Sequence, residues 1–160
     1  MKQEQLPEII DGIRTAKNEA AQRREIIKNE YMRLLEYLQR KHKKKAVFND
    51  FLSVYVYITM HESGKKASYT SAFNWQSTYA VKHLEQIVKH AKPREGEALY
   101  YPPKNTGKQK EFNYINMAKL FYNFTHKEHD YMNFTVKLTL GIKSDGRHIQ
   151  YSINKIDITK

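Results

Sequence analysis

The feature that most constrains the fold is an alternating pattern over residues 131–158, interrupted by one Asp-Gly pair. Every second position before that pair is apolar, which is typical of a β-strand with one buried face: Met132, Phe134, Val136, Leu138, Leu140 and Ile142. Asp145-Gly146 favours a two-residue type I′ turn. The sequence therefore predicts a C-terminal antiparallel hairpin whose apolar pairs are Ile142 with Ile149, Leu140 with Tyr151 and Leu138 with Ile153.

The second strand of this hairpin loses the apolar match near its end, because Val136 would face Lys155. One extra residue at Asn154-Lys155 restores the pairing, so we expect a β-bulge there. The outer face of the hairpin is then polar and mildly basic, with Thr135, Lys137, Thr139, Gln150 and Ser152.

The N-terminal quarter of the chain predicts a long amphipathic helix with a heptad row of apolar residues: Leu6, Ile13, Ala20, Ile27 and Leu34. Lys17 and Arg24 interrupt the neighbouring row, which argues against a strict coiled-coil seam but leaves open a protein partner or a homodimer through this helix. The helix ends in the cationic run 40–45, which suits a helix C-terminus or a phosphate-contacting patch. This run divides the chain into a basic-ended helix, 1–45, and a compact α+β domain, 46–160.

The middle of the chain is interpreted as packed helices. Residues 47–60 fit both a strand and a helix, and Asn49-Asp50, a good helix N-cap, favours the helix. Apolar side chains recur at helical spacing over residues 69–91 and 113–124, which predicts two further helices. The fold class is therefore α+β, with a long N-terminal helix, two or three packed helices and a C-terminal hairpin or small meander.

The segment around residues 62–68 resembles the turn of a helix-turn-helix. Gly64 would occupy the turn, and small or hydroxyl residues at Ser68, Thr70 and Ser71 would begin the second helix. The resemblance implies DNA binding through that second helix. The other interpretation is two core helices joined by a surface loop.

Residues 92–111 form a long irregular stretch, and such stretches usually carry function or are disordered. Tyr100 and Tyr101 lie among cations in it, and a single-stranded nucleic acid is bound by this combination of charge and rings. Alternatively, Leu99-Tyr100-Tyr101 forms a short strand beside the hairpin.

The charge of the chain points to an anionic partner. The formal net charge is +11 and the sequence pI is about 9.6, and nucleic acid is the commonest partner of so basic a protein. We expect lysine and arginine to contact phosphates and tyrosine to contact bases, of DNA or RNA, at Arg40, Lys41, Lys43, Lys44, Lys45, Lys65, Lys66, Tyr100, Tyr101, Lys104, Lys108 and Lys110.

Several classes of site are excluded or unsupported. The chain has no cysteine, which excludes disulfides and thiolate metal sites, and no motif predicts a cofactor. No stretch approaches the length and apolarity of a membrane span. We therefore expect a cytoplasmic protein without a membrane partner.

Catalytic chemistry has little support in the sequence. His126 and His129 lie beside Glu128 and Asp130, but no third and fourth metal ligands are identified elsewhere. The order of helices followed by a hairpin resembles ribonuclease toxins of the barnase kind, without their motifs, and general acid–base catalysis would require these histidines or His148.

We expect a small nucleic-acid-binding protein, of a size and composition that suit an accessory factor of a phage or mobile element. The alternatives are a metal-independent ribonuclease-type toxin and a basic protein-binding inhibitor.

Overall fold

The computed structural model describes residues 19–72, 75–124 and 133–159. Its helices are α1 (Glu19–His42), a π-helix (Met60–Gly64), α2 (Lys65–Thr70), α3 (Trp75–Val81), α4 (Leu84–His90) and α5 (Gly107–Glu111). Its strands are β1 (Ala46–Asn49), β2 (Val54–Tyr57), β3 (Tyr100–Tyr101), β4 (Asn116–Phe124), β5 (Asn133–Ile142) and β6 (His148–Thr159). The strands form one sheet in the order β1-β2-β6-β5-β4-β3, and only β2 and β6 run parallel. The fold is therefore α+β.

The main core lies between one face of the sheet and helices α1 to α4. Helix α1 buries Ile27, Tyr31, Leu34 and Leu38, which confirms the amphipathic pattern over the described part of the helix; residues 1–18 lie outside it. These side chains pack with those of β5 and β6. The described part of helix α1 therefore shares a core with the sheet. The division of the chain into segments 1–45 and 46–160 stays a prediction.

The C-terminal hairpin is confirmed, but its turn differs from the predicted type. Lys143 N donates to Arg147 O (2.9 Å), and Gly146 N donates to Lys143 O (2.9 Å). Gly146 has a φ of 92°, whereas Asp145 does not have a positive φ. These contacts define a three-residue loop with Gly in the left-handed position rather than a type I′ turn, which needs two positive φ values.

The longer loop shifts the adjacent strand pairs by one residue. Ile142 faces His148 and Leu140 faces Gln150, so the predicted partners Ile149 and Tyr151 are wrong. A bulge at Tyr151 then restores the predicted register, and Leu138 faces Ile153 as expected.

Farther along the hairpin, Val136 faces Lys155 and Thr135 faces Asp157. The one predicted bulge is therefore present, but Ile156 rather than Asn154-Lys155 is the extra residue. The bulge at Tyr151 was not predicted. Phe134 faces Ile158, as the sequence pattern required.

The helix predicted over residues 47–60 is wrong, because most of this segment is the β1–β2 hairpin. Asn49 does not cap a helix but closes the turn, accepting from Leu52 N through Oδ1 (2.7 Å). Its Nδ2 donates to Val88 O (2.8 Å) and Ala91 O (3.0 Å) at the end of α4. A buried asparagine that satisfies three backbone groups fixes this turn against the helix.

The helix predicted over 113–124 is also wrong, because residues 116–124 form strand β4. Leu120 and Phe124 face the main core, while Met117 packs in a smaller core on the other face of the sheet. A strand that is buried on both faces lacks a clean alternation of apolar and polar residues. The apolar residues of β4 therefore also matched the spacing of a helix.

The helix-turn-helix interpretation is contradicted by the segment around Gly64. The π-helix runs directly into α2, Gly64 has a helical φ of −67°, and the element before them is strand β2. Residues 62–68 are therefore helical rather than a turn. The single helix predicted over 69–91 is instead divided, with α3 and α4 as separate helices.

Three buried serines cover the edge of β6 where β2 no longer pairs with it. Ser63 Oγ donates to Gln150 O (2.5 Å), and Ser71 Oγ donates to Ile153 O (2.5 Å). Lys155 N donates to Ser77 Oγ (2.7 Å). These hydroxyls supply the partners that a neighbouring strand would give to a buried backbone edge, and those of Ser63 and Ser71 hold α2 along the edge of β6.

Candidate nucleic-acid interface

A basic groove crosses the outer face of the sheet, opposite the main core. Its cavity volume is about 750 Å³, and five lysines line it: Lys66, Lys104, Lys108, Lys119 and Lys137. They come from α2, the loop after β3, helix α5, strand β4 and strand β5, in that order. Among the described residues that line this basic groove there is no aspartate or glutamate.

Strand register positions the floor of the basic groove. Lys119 on β4 faces Thr139 on β5, and Lys137 faces Asn154 on β6. Leu138 lies between Lys137 and Thr139 and faces the main core, so alternation directs its two neighbours to the outer face. The predicted outer position of Lys137, Thr139 and Ser152 is thereby confirmed. Gln150 is the exception, since it lies on the main-core face, where its side chain contacts Tyr31 of helix α1.

The lysines of the basic groove differ in how far they are neutralised. Lys119 Nζ lies 3.3 Å from Glu97 Oε1, and Lys108 Nζ lies 3.2 Å from Glu111 Oε1. Both pairs are partly exposed, so each contributes little to stability. Over the described ranges, Lys66, Lys104 and Lys137 form no ion pair. These three amines remain available to an anion.

Two tyrosines wall the basic groove and orient its cations. Lys66 Nζ lies 4.9 Å from the ring centroid of Tyr151, and Lys119 Nζ lies 5.6 Å from that of Tyr101. Burial raises the pKa of the Tyr101 hydroxyl. Both rings thus hold lysines in place by cation–π contacts.

The structure separates the two predicted base-contacting tyrosines. Tyr100 faces Ala118 and Tyr101 faces Met117, so their side chains point to opposite faces of β3. Only Tyr101 lines the groove. The alternative prediction of a short strand is confirmed, but this strand pairs with β4 rather than with the C-terminal hairpin.

A smaller depression of about 420 Å³ adjoins the groove through the shared residues Lys66 and Lys108. Lys65 lines it together with His61 and Phe112. The fold thus brings together four of the predicted site residues: Lys65, Lys66, Lys104 and Lys108. Lys110 is exposed on α5 and lines neither depression.

The cationic run 40–45 is divided rather than presented as one patch. Lys43 has a φ of 56°, its N donates to Gln39 O (3.0 Å) and its Nζ donates to Arg40 O (3.3 Å), so it ends helix α1. Arg40 and Lys45 line a shallow, mainly apolar depression with Met32 and Met60. Lys44 instead lies over the Tyr55 ring, and Lys41 is exposed on the last turn of α1.

The predicted site residues omitted two lysines of the groove, Lys119 and Lys137. Lys137 was expected on the outer face of the hairpin but was not assigned to the site. Lys119 fell within the segment 113–124, which predicted a helix, so its neighbours on β5 were not foreseen. Had residues 116–124 been interpreted as a strand next to the C-terminal hairpin, alternation would have placed Lys119 on the same face as Thr139.

Acid–base and metal chemistry gain no support from the described ranges. His148 Nδ1 lies 3.0 Å from Gly146 O, and burial lowers the pKa of His148. Glu62 is engaged by the Tyr114 hydroxyl (2.7 Å) and Lys143 Nζ (3.2 Å). No cluster of three metal-ligating side chains occurs within those ranges; His126 and His129 lie outside them.

Comparisons of the chain with protein-family profiles, curated proteins and solved structures give no significant match. Within the part of the chain that the structure describes, no helix has the length and apolarity needed to cross a membrane.

Proposed function

We propose that the protein binds nucleic acid through the basic groove. The observation that carries the proposal is the convergence of five lysines, from five separate segments, on one groove without a carboxylate in its described lining. Like charges held together repel one another and destabilise the compact state. A polyanion that enters the groove removes this repulsion and releases its own counterions.

The chemistry of the groove fits the sugar–phosphate backbone better than base edges. Lys66, Lys104 and Lys137 would neutralise phosphates, and hydroxyl groups along the groove, including Thr106 and Ser152, would donate to phosphate oxygens. Contacts of this kind carry little sequence information. We therefore expect affinity that depends strongly on salt and weakly on base sequence. A cytoplasmic location, and an accessory role in a phage or mobile element, form part of this proposal and rest on composition.

The test is the salt dependence of binding to labelled single strands and duplexes of equal length, as both DNA and RNA. Replacing Lys66 and Lys137 together by Ala removes two phosphate contacts. The slope of log affinity against log salt should then fall by about 1.4 on single strands and about 1.8 on duplex DNA.

A matched control replaces Lys28 and Lys92, two exposed lysines outside the groove. This variant loses the same charge and should keep the wild-type slope. Equal slopes for the groove variant and the control would place binding elsewhere, and no binding by the wild-type protein would refute the proposal.

A further inference from the structure

Three large aromatic side chains are exposed together on the β1–β2 hairpin, away from the basic groove. Phe48 is 42 % exposed, Tyr55 is 45 % exposed and Phe51, in the turn, is 58 % exposed. Phe48 faces Tyr55 across the two strands, with ring centroids 5.2 Å apart and the rings inclined by 73°. Single exposed apolar residues are ordinary, but a contiguous group indicates a binding surface.

Cations border this aromatic patch, defined as Phe48, Phe51 and Tyr55. Lys44 Nζ lies 4.0 Å from the centroid of the Tyr55 ring. His42, Lys44 and Lys89 line the same depression as Phe48 and Tyr55, with Glu85 as its one acidic residue among those described. Rings interleaved with cations form the surface that stacks bases and attracts phosphates.

The aromatic patch lies on the same face of the sheet as the basic groove. Tyr55 and Tyr57 point to one face of β2 by alternation, and Tyr57 packs against the smaller core that contains Tyr151. Tyr151 in turn walls the groove. From β1 to β4 is four strand spacings, about 19 Å, so one extended strand of nucleic acid can reach both surfaces.

We propose that the aromatic patch binds unpaired bases of single-stranded nucleic acid by stacking on Phe48 and Tyr55, with Lys44 and Lys89 beside the backbone. This inference rests on the proposed function of the basic groove, which it extends by naming the strandedness of the ligand. Bases in a duplex are stacked on each other and cannot stack on these rings. The patch therefore makes the protein prefer single strands.

The test compares Tyr55→Ala and Phe48→Ala with Tyr100→Ala, whose side chain is as exposed as that of Tyr55 but belongs to the other edge of the sheet. The probes are a mixed-sequence single strand of about 15 nucleotides and a duplex of equal length. Each patch variant should lose roughly five- to hundred-fold affinity for the single strand. Affinity for the duplex should stay unchanged, and Tyr100→Ala should match the wild-type protein on both probes.

Photo-cross-linking of a 5-iodouracil-containing single strand adds a direct readout. Cross-links should fall within residues 46–57 in the wild-type protein and in the Lys66→Ala, Lys137→Ala double variant. Phe48→Leu keeps the apolar volume but removes the ring, and it replaces Phe48→Ala if thermal unfolding shows that the latter is not folded.

The outcomes separate this inference from the groove proposal. The inference about the patch is wrong if the wild-type protein binds and both patch variants keep its affinity for single strands. It is also wrong if cross-links fall only outside residues 46–57. Neither result contradicts the proposal for the basic groove. Wild-type protein that binds no nucleic acid overturns both. Concentration-dependent dimers in sedimentation that Phe48→Ala abolishes would assign the patch to a second copy and overturn the inference.

Discussion

The hydroxyl of Tyr31 donates a hydrogen bond of 2.6 Å to Gln150 Oε1, which joins helix α1 to strand β6 across 119 positions of sequence. Both side chains are fully buried. Gln150 faces the core because the three-residue hairpin loop shifts the strand register by one residue, and the bulge at Tyr151 restores that register only beyond Gln150. The hydrogen bond therefore couples the packing of the long helix to an irregularity in the hairpin.

Replacing Tyr31 by Phe should lower the free energy of unfolding by about 1–3 kcal/mol, because Gln150 Oε1 would be buried without a donor. Urea unfolding followed by circular dichroism measures the change. Tyr55→Phe, at an exposed hydroxyl, is the control and should stay within about 0.5 kcal/mol of the wild-type protein. Adding Gln150→Leu to Tyr31→Phe should recover much of the loss; an undiminished loss would assign the effect to packing.

Stability should fall as pH rises above 10. Burial raises the pKa of Tyr79 to about 12 and raises the pKa of Tyr31 still further, and burial with the nearby Glu62 carboxylate raises the pKa of Tyr114. The unfolded chain loses these protons near pH 10 while the folded chain retains them, so alkali favours unfolding. Each tyrosine contributes up to about 1.4 kcal/mol per pH unit.

Urea midpoints measured from pH 8 to pH 11 check this dependence. Well below pH 10 tyrosine ionisation should have no effect on the urea midpoint. Above pH 10 the midpoint should decline. Tyr31→Phe should decline less steeply, since one buried hydroxyl is gone. Equal alkaline slopes in the two proteins would count against the assignment to Tyr31.

Alternation in the C-terminal hairpin was sufficient to predict its strands, the Leu138–Ile153 pair and the outer positions of Lys137 and Thr139. The turn was not predictable in detail, because Asp145-Gly146 suits both a two-residue loop and a three-residue loop with Gly last. That single residue of difference turned Gln150 inward. Register errors of this kind invert the face of every residue up to the next bulge.

The two segments wrongly predicted as helices were misread because distant contacts determine their structure. In one segment the strand is buried on both faces, and in the other a buried side chain is held by a distant helix. Met117 and Leu120 in β4 belong to two different cores, so their spacing carried no sign of a sheet. Asn49 is held in a turn by carbonyls of α4, nearly 40 residues away. The basic groove was only partly foreseeable, since no local pattern brings Lys66, Lys104 and Lys119 together.

Gly141→Ala should destabilise the fold, because an added Cβ would overlap the ring of Tyr114. That ring lies across β5 and covers the smaller core. The expected loss is about 1–3 kcal/mol from overpacking, measured by thermal or urea unfolding. Ser144→Ala, at an exposed position of the hairpin loop, is the control and should have little effect. Gly141→Ala with wild-type stability would show that the Tyr114 ring moves aside freely.

The two neighbouring lysines at the end of α1 should behave differently in binding. Lys44→Ala should lower the salt slope on single strands by about 0.7, the value for one phosphate, because Lys44 borders the aromatic patch. Lys43→Ala should leave the slope unchanged, because the Lys43 amine bonds to its own helix at Arg40 O. Fluorescence anisotropy over a series of salt concentrations measures both slopes. Equal reductions of the salt slope in the two variants would instead support the earlier interpretation of residues 40–45 as a single phosphate-contacting patch.

The final prediction separates a binder from a ribonuclease. We expect no cleavage when purified protein is incubated with RNA and a chelator, because general acid–base catalysis needs two proton-transfer groups at one phosphate. His148 contacts Gly146 O, and Glu62 is engaged by Tyr114 and Lys143. The assay includes His61→Ala, because His61 adjoins the groove lysines, and also His126→Ala, His129→Ala and His148→Ala. A metal-free ribonuclease should lose at least about a hundredfold in rate when its base or acid is removed. Chelator-resistant cleavage that one of these changes abolishes, while RNA binding persists, would establish the toxin-like alternative and show that the groove presents RNA to a catalytic histidine.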